Sequence, residues 1–249
     1  MQYTGTIIYL QLIIIRAHST LCRNILEAAK RTCKKPVQKK EPITIAEIKK
    51  IYYVFGGRSC SLLNLRTIAI ILIGFSGFMR YSEISDLKRC DFKFQDTHME
   101  IFIGKSKTDM YRDGQCVFIA RTNSELCPVS LIRLWFQRAN IKDDSEEYIF
   151  RALTYYKSLD TYTLRKQDKP ISYTTIRELI LKVIENIGLD PRKFGLHSLR
   201  SGGATSAANN GVTDRLFKRH GRWKSDKAKD GDVKDNLRSL LSVSSGLGL

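Results

Sequence analysis

Between Leu62 and Phe78 the chain reads LLNLRTIAIILIGFSGF, with Arg66 near the start. Apolar side chains fall on nearly every side of a 3.6-residue period, so a helix here must be enclosed by other protein elements on most of its surface. A chain of 249 residues can supply that enclosure. At about 150 residues per domain it makes one large domain or two small ones. At this length folding buries roughly 70–75% of the unfolded surface, so neither disulfides nor a metal is needed for stability.

The segments around this helix alternate in period. Residues 17–33 have helical spacing, with Leu21, Ile25, Leu26 and Ala29 on one face and Arg23, Lys30 and Arg31 on the other. Residues 34–42 (KKPVQKKEP) form a basic connector containing Pro36. The main domain begins near Ile43, where Thr44 and Glu47 have the spacing of a capping box. MEIFIG and QCVFIA alternate like strands about the polar turn 105–114 and predict an antiparallel unit. Pro128 opens a helix to Arg138, and Tyr148–Phe150 reads as a short strand. Thr174–Ile187 reads as a helix stopped by Gly188, and 197–210 and 212–220 as two short helices broken at Gly211. Helices, a small antiparallel sheet and helices again make an α+β fold that is mostly helical, without repeats.

The charge balance selects the partner. Lys and Arg number 42 against 25 Asp and Glu, a net charge of +17, and the pI is near 9.7. Such an excess points to a polyanion. Eight basic residues against one acid lie between Arg16 and Lys40, among them Lys34, Lys35, Lys39 and Lys40. They read either as a solvated linker or as a strap along a phosphate backbone. Between Pro191 and Lys234, eleven basic residues face four acids, and Arg215, Lys218, Arg219, Arg222 and Lys224 cluster around Trp223. This cluster is a DNA-contacting surface or a solvated face. Six cysteines are scattered without CxxC spacing, which excludes a zinc ribbon and predicts reduced thiols inside a cell. The apolar stretch Thr6–Ile15 is far shorter than the about 20 residues of a spanning helix. Its first basic residue, Arg16, follows it rather than precedes it, so neither a membrane span nor a signal peptide is expected.

Four local features carry chemistry. Arg80 ends the apolar helix, with Glu83 three residues later to orient it. Lys107 lies in the turn between the two strands. His197 and Arg200 (HSLR) share one helical face, and His220-Gly221-Arg222-Trp223 follows. Each has a structural counterpart: a dipole partner, a solvated turn lysine, a chance HxxR pair and a core tryptophan. In this order on a basic chain, they resemble the tyrosine recombinase (phage integrase) family, especially the forms carried by eukaryotic mobile elements. The resemblance runs from about Ile43 to the C-terminus. It implies a recombinase-type catalytic domain over 43–249, and in 1–42 a remnant of a helical core-binding domain plus a basic linker.

The resemblance also implies roles. Arg80 and Arg200 would clamp the non-bridging oxygens of a scissile phosphate, which guanidinium forks do bidentately. Lys107 would protonate the leaving 5′ oxygen. His197 would donate to the phosphate or handle the nucleophile's proton, and Trp223, in the His/Trp position, would donate its indole N–H. Glu83 and His220 would support them. No metal or other cofactor is called for, because the arginines carry the charge stabilisation and no carboxylate cluster is present to hold a metal.

One family feature is missing. The position resembling that of the nucleophilic tyrosine holds Asp232, and no tyrosine follows Tyr173. A carboxylate is shorter than a phenol and brings negative charge toward a phosphate, and a misplacement of about 1 Å can cost about 10²-fold in rate. The expectation is a double-stranded DNA binder that does not cleave strands alone. Two other readings stand beside it: an enzyme given its tyrosine in trans by an intact partner recombinase, and a general basic nucleic-acid-binding module. Leu237, Leu240, Leu241 and Val243 near the C-terminus predict either an oligomer contact or packing onto the parent domain. A DNA partner implies a nuclear location.

Overall fold

The computed structural model describes residues 19–33, 39–104 and 114–247. The chain divides into one unit ending at Lys39 and a second from Lys40 onward. In the first unit the described part is helix α1, Thr20–Cys33. It starts where Ser19 caps it through Oγ, which accepts the Cys22 amide at 3.2 Å. Its expected apolar residues Leu21, Ile25 and Leu26 are exposed. The stretch Thr6–Ile15 and both Lys34 and Lys35 lie outside the described residues. No described helix is long and apolar enough to cross a membrane.

The second unit opens with α2, Ile45–Phe55. Its capping box forms as its sequence predicts: the Glu47 amide donates to Thr44 Oγ1 at 3.2 Å, and the Thr44 amide to Glu47 Oε2 at 2.6 Å. The central apolar helix is α3, Leu62–Ser76, in which every residue from Leu65 to Gly74 is buried. Even Arg66 is inside, donating through Nη1 to the Arg151 carbonyl at 2.7 Å. Helix α4, Tyr81–Ser85, follows, and a 3₁₀ turn leads into β1, Phe92–Phe94. Strands β2, His98–Ile103, and β3, Gln115–Ala120, complete an antiparallel sheet of order β1-β2-β3, with Ile101 opposite Val117. Met99, Ile101, Ile103, Val117 and Ile119 turn inward and the intervening residues do not, the alternation of a half-buried sheet. Lys107, in the connection between β2 and β3, lies outside the described residues.

Helix α5, Pro128–Arg138, is followed by a second small sheet, β4 Leu153–Tyr156 paired with β5 Thr161–Leu164. Residues 148–150 do not form the expected strand. Tyr148 makes a single bridge to Lys88, while Ile149 and Phe150 bond the backbones of Leu87 and Ile171, two separate segments, so no continuous ladder develops. The remaining helices are α6 (Tyr173–Asn186), α7 (His197–Asn209), α8 (Asp214–His220), α9 (Asp226–Asp232) and α10 (Leu237–Ser245). Mostly helical with two small antiparallel sheets, the architecture is the α+β one expected.

Helix α3 is the hub, touching α2, α4, α5, α6, α7 and β5. Its approach to α7 depends on two glycines. A Cβ on Gly203 would stand 2.0 Å from the Phe75 carbonyl oxygen, and one on Gly202 would stand 2.2 Å from that of Ile43. Only glycine allows backbones this close. The contact brings the N-terminal turn of α7, with His197 and Arg200, against the C-terminal end of α3.

Candidate oxyanion site

The site assembles where α3 ends. Gly77 caps the helix, and Phe78 turns the chain through φ +46°. A non-glycine residue rarely adopts this left-handed conformation, which concentrates at functional sites. The turn aims the Phe78 carbonyl at two guanidiniums: Arg200 donates to it through Nη1, and Arg222 through Nη2 at 3.0 Å. Arg222 is itself left-handed, at φ +56°. Phe78, Ala204, Phe217 and Trp223 make a small apolar cluster that walls the site.

Arg200 is completely buried. Its Nη2 donates to the Gly221 carbonyl at 2.7 Å, and its plane lies over the Trp223 ring at 4.6 Å. Its Nε donates to Asp232 Oδ2 at 2.8 Å. Trp223 Nε1 donates to that same oxygen at 2.8 Å, and His197 Nε2 lies 2.9 Å from Oδ1. Three side chains, two from α7 and one from the loop before α9, thus converge on one carboxylate. Burial alone would raise the Asp232 pKa. The hydrogen bonds from His197, Arg200 and Trp223, joined by the Arg200 charge, outweigh it and hold the carboxyl well below the usual range. Burial, with the nearby Arg80 charge acting the same way, pushes Arg200 down to about 10, so it stays charged at neutral pH.

Beside this pocket a second carboxylate is fully enclosed. Glu83 accepts from the Arg80 amide at 2.9 Å and from Arg80 Nη1 at 3.0 Å, and Arg222 Nη2 donates to it at 2.8 Å. Burial would raise its pKa, but the Arg222 charge and the Arg80 amide bring it below the ordinary value. Arg80 is thereby fixed on one side while its side chain stays partly open to solvent. His220 donates through Nε2 to the Ser76 carbonyl at 2.8 Å and packs edge-on against Phe78. Its burial lowers its pKa, so it serves as a neutral strut.

Residues 41–228 match the sequence profile of the phage integrase family. The chain is a member of the phage integrase family. An integrase/recombinase xerD homolog from Selenomonas ruminantium is 30% identical over 189 residues, covering 76% of this chain and 52% of that protein. The chain therefore spans about half the length of this curated relative. The XerA recombinase structure superimposes with a TM-score of 0.59 at 18% identity, covering 86% of this chain and 65% of that one. A XerH site-specific recombinase bound to its palindromic difH substrate superimposes with a TM-score of 0.60 at 17% identity, covering 83% of this chain and 53% of that one. These two share the integrase fold.

Within this integrase fold, Arg80, His197, Arg200, Trp223 and Asp232 gather at one place, with Glu83 and His220 behind them. One expectation is corrected. Arg222 was expected on a DNA-contacting surface, yet it is buried, paired with Glu83 and bonded to the carbonyls of Gly77, Phe78 and His220. Its left-handed backbone directs the guanidinium inward, where it completes the scaffold under Arg80. Arg215, Arg219 and Lys224 are exposed as expected, and Lys218 is half-buried and paired with Asp226 at 2.9 Å. Lys39 and Lys40 are exposed, and Lys40 Nζ donates to the Arg192 carbonyl. Among the described residues no group of three or more His, Cys, Asp or Glu is placed to hold a metal ion. Sequence reasoning missed the Phe78 and Gly221 carbonyls that anchor Arg200, since main-chain acceptors leave no mark on residue identity.

Proposed function

We propose that this integrase-family chain binds double-stranded DNA in the context of recombination or integration and does not cleave strands alone. The observation that carries the reading is the convergence of Arg200, Trp223 and His197 on one anionic group beside Arg80. Donors so arranged suit the non-bridging oxygens of a phosphodiester, where two arginines stabilise the charge that develops in phosphoryl transfer. Lys107 would supply the leaving-group proton. At the nucleophile's position stands Asp232, which already accepts bonds from the catalytic donors and carries no phenol to attack phosphorus. Exposed Arg215, Arg219, Lys224, Lys39 and Lys40 would follow the backbone of the duplex. A DNA partner in a eukaryotic cell implies a nuclear location. Exposed Leu237, Leu240 and Leu241 on α10 favour assembly with a second recombinase chain. If that chain is intact, its tyrosine can reach the assembled donors in trans.

The test is relaxation of supercoiled plasmid by the native chain and by Asp232→Tyr, beside titration of a labelled duplex at several salt concentrations. Both proteins are expected to bind duplex with a steep salt dependence, and only Asp232→Tyr to relax the plasmid. Relaxation by the native chain would overturn the loss of cleavage. Absence of duplex binding at low salt would overturn the DNA reading itself.

A further inference from the structure

The Asp232 carboxylate is more than a missing nucleophile. Arg200 directs Nη1 and Nη2 at the carbonyls of Phe78 and Gly221, and its Nε, facing the pocket, is taken by Asp232. The Trp223 indole has a single N–H, and Asp232 takes that as well. His197 completes the set on the other oxygen. Two oxygens of one anion thus meet the donors that two non-bridging oxygens of a phosphate would meet. The carboxylate is delivered by the last residue of α9. That helix is capped by Ser225, whose Oγ accepts the Ala228 amide at 3.3 Å, and it is tied to α8 by Lys229–Asp214 and Lys218–Asp226 ion pairs.

We propose that Asp232 is a built-in ligand of the oxyanion pocket, so that the pocket is self-occupied and takes an external tetrahedral oxyanion such as phosphate only when this carboxylate is withdrawn. The inference rests on reading the pocket as a phosphate site. A tethered anion competes at an effective concentration in the millimolar range or above, which a free anion at lower concentration does not overcome. Duplex DNA, with further contacts along the basic surface, has additional binding energy with which to displace it. Self-occupation also satisfies the indole and guanidinium donors while no DNA is present, where bare buried donors would be destabilising. On this view the loss of the tyrosine left a closed pocket rather than an open one.

The pocket contains its own reporter. Of the two tryptophans in the chain, Trp135 donates its N–H to the Ile149 carbonyl in the core at 3.2 Å, and Trp223 donates to Asp232. Their indole N–H resonances are two separate signals in a ¹H–¹⁵N spectrum, assigned with Trp223→Phe. Inorganic phosphate is titrated into the native chain, Asp232→Ala and Asp232→Asn. The expected result is a saturable movement of the Trp223 signal in Asp232→Ala, at phosphate concentrations about tenfold or more below any that move it in the native chain. Asp232→Asn keeps the shape but not the charge, so it should behave likewise and covers the case in which the alanine variant does not fold. Equal phosphate affinity of native and variant chains overturns the proposal. So does a folded variant whose indole signal phosphate leaves in place. A labelled duplex is titrated into the same proteins. Loss of duplex binding by all of them overturns the DNA reading, while the phosphate titration still decides the role of Asp232.

Discussion

Glu83 and Asp232 are two carboxylates paired with arginines of one site, Glu83 with Arg80 and Arg222 and Asp232 with Arg200, yet they belong to different kinds of structure. Glu83 sits on α4, directly after the central helix, completely enclosed and held by Arg80 and Arg222. Asp232 ends a seven-residue helix near the C-terminus and keeps 13% of its side chain in contact with solvent. One builds the site, since without it Arg80 has no anchor and Arg222 is a buried charge without a counter-ion. The other occupies the site, and its partners retain a use after it leaves. Burial and mounting, rather than charge, separate scaffold from occupant.

The largest effect should come from breaking the scaffold. Glu83→Ala or Arg222→Ala leaves a buried charge unpaired and is expected to cost about 3–5 kcal/mol in chemical denaturation. A loss below about 1 kcal/mol would mean that water reaches the pair and that the two carboxylates are alike. Next in size is Asp232→Ala, which takes the carboxylate from the buried Arg200 and Trp223 donors but opens to water the space that its partly exposed side chain filled. A loss of about 1–2 kcal/mol is expected, and duplex affinity should rise rather than fall.

A smaller and more diagnostic effect is acid sensitivity. Both carboxyls are held below their ordinary pKa values in the folded state. Stability they contribute is therefore complete above the unfolded carboxylate range and is lost as the pH falls through the folded values. Denaturation curves from neutral pH downward should show stability declining below about pH 4. Asp232→Asn should remove part of that decline and leave the Glu83 part in place. An unchanged pH profile would mean that Asp232 is not held as an anion. The smallest effect is expected from Lys218→Ala at the solvated tie between α8 and α9. Its change in stability should be hard to resolve, and whatever remains should vanish in high salt.

Much of the fold is written locally. The capping box at Thr44, the all-round apolar pattern of α3, the alternation of β2 and β3, and Pro128 at the start of α5 each involve neighbours in the chain, so the residue pattern specifies them. The β4–β5 pair was not legible. Its strands are four residues each and half exposed, so their alternation is short and weak. Pro191–Lys234 shows the limit for the site. A run of basic residues reads as one solvated face, but Arg222 leaves that face because its partner Glu83 lies 139 positions earlier. The contact of Asp232 with His197 likewise joins residues 35 positions apart across a turn of backbone that no periodicity encodes. HxxR was legible as a pair because both residues share one helix, whereas the carbonyls that orient Arg200 come from other segments.

The two glycines of α7 carry a mechanical consequence. The atoms nearest to a Cβ on Gly202 and Gly203 are the backbone oxygens of Ile43 and Phe75, with the side chains of Ile43 and Phe78 close behind. A rotamer change therefore cannot absorb an added methyl group, and the adjustment left is translation of the whole helix. Arg200 rides on that helix two and three residues away, so the separation of two main chains acts as a spacer gauge for the pocket. Tolerance at these positions is set by the stiffness of backbone against backbone, in a packed interior that yields little. A methyl group added there would be read out at the guanidinium as a displacement, far from any residue that touches an anion.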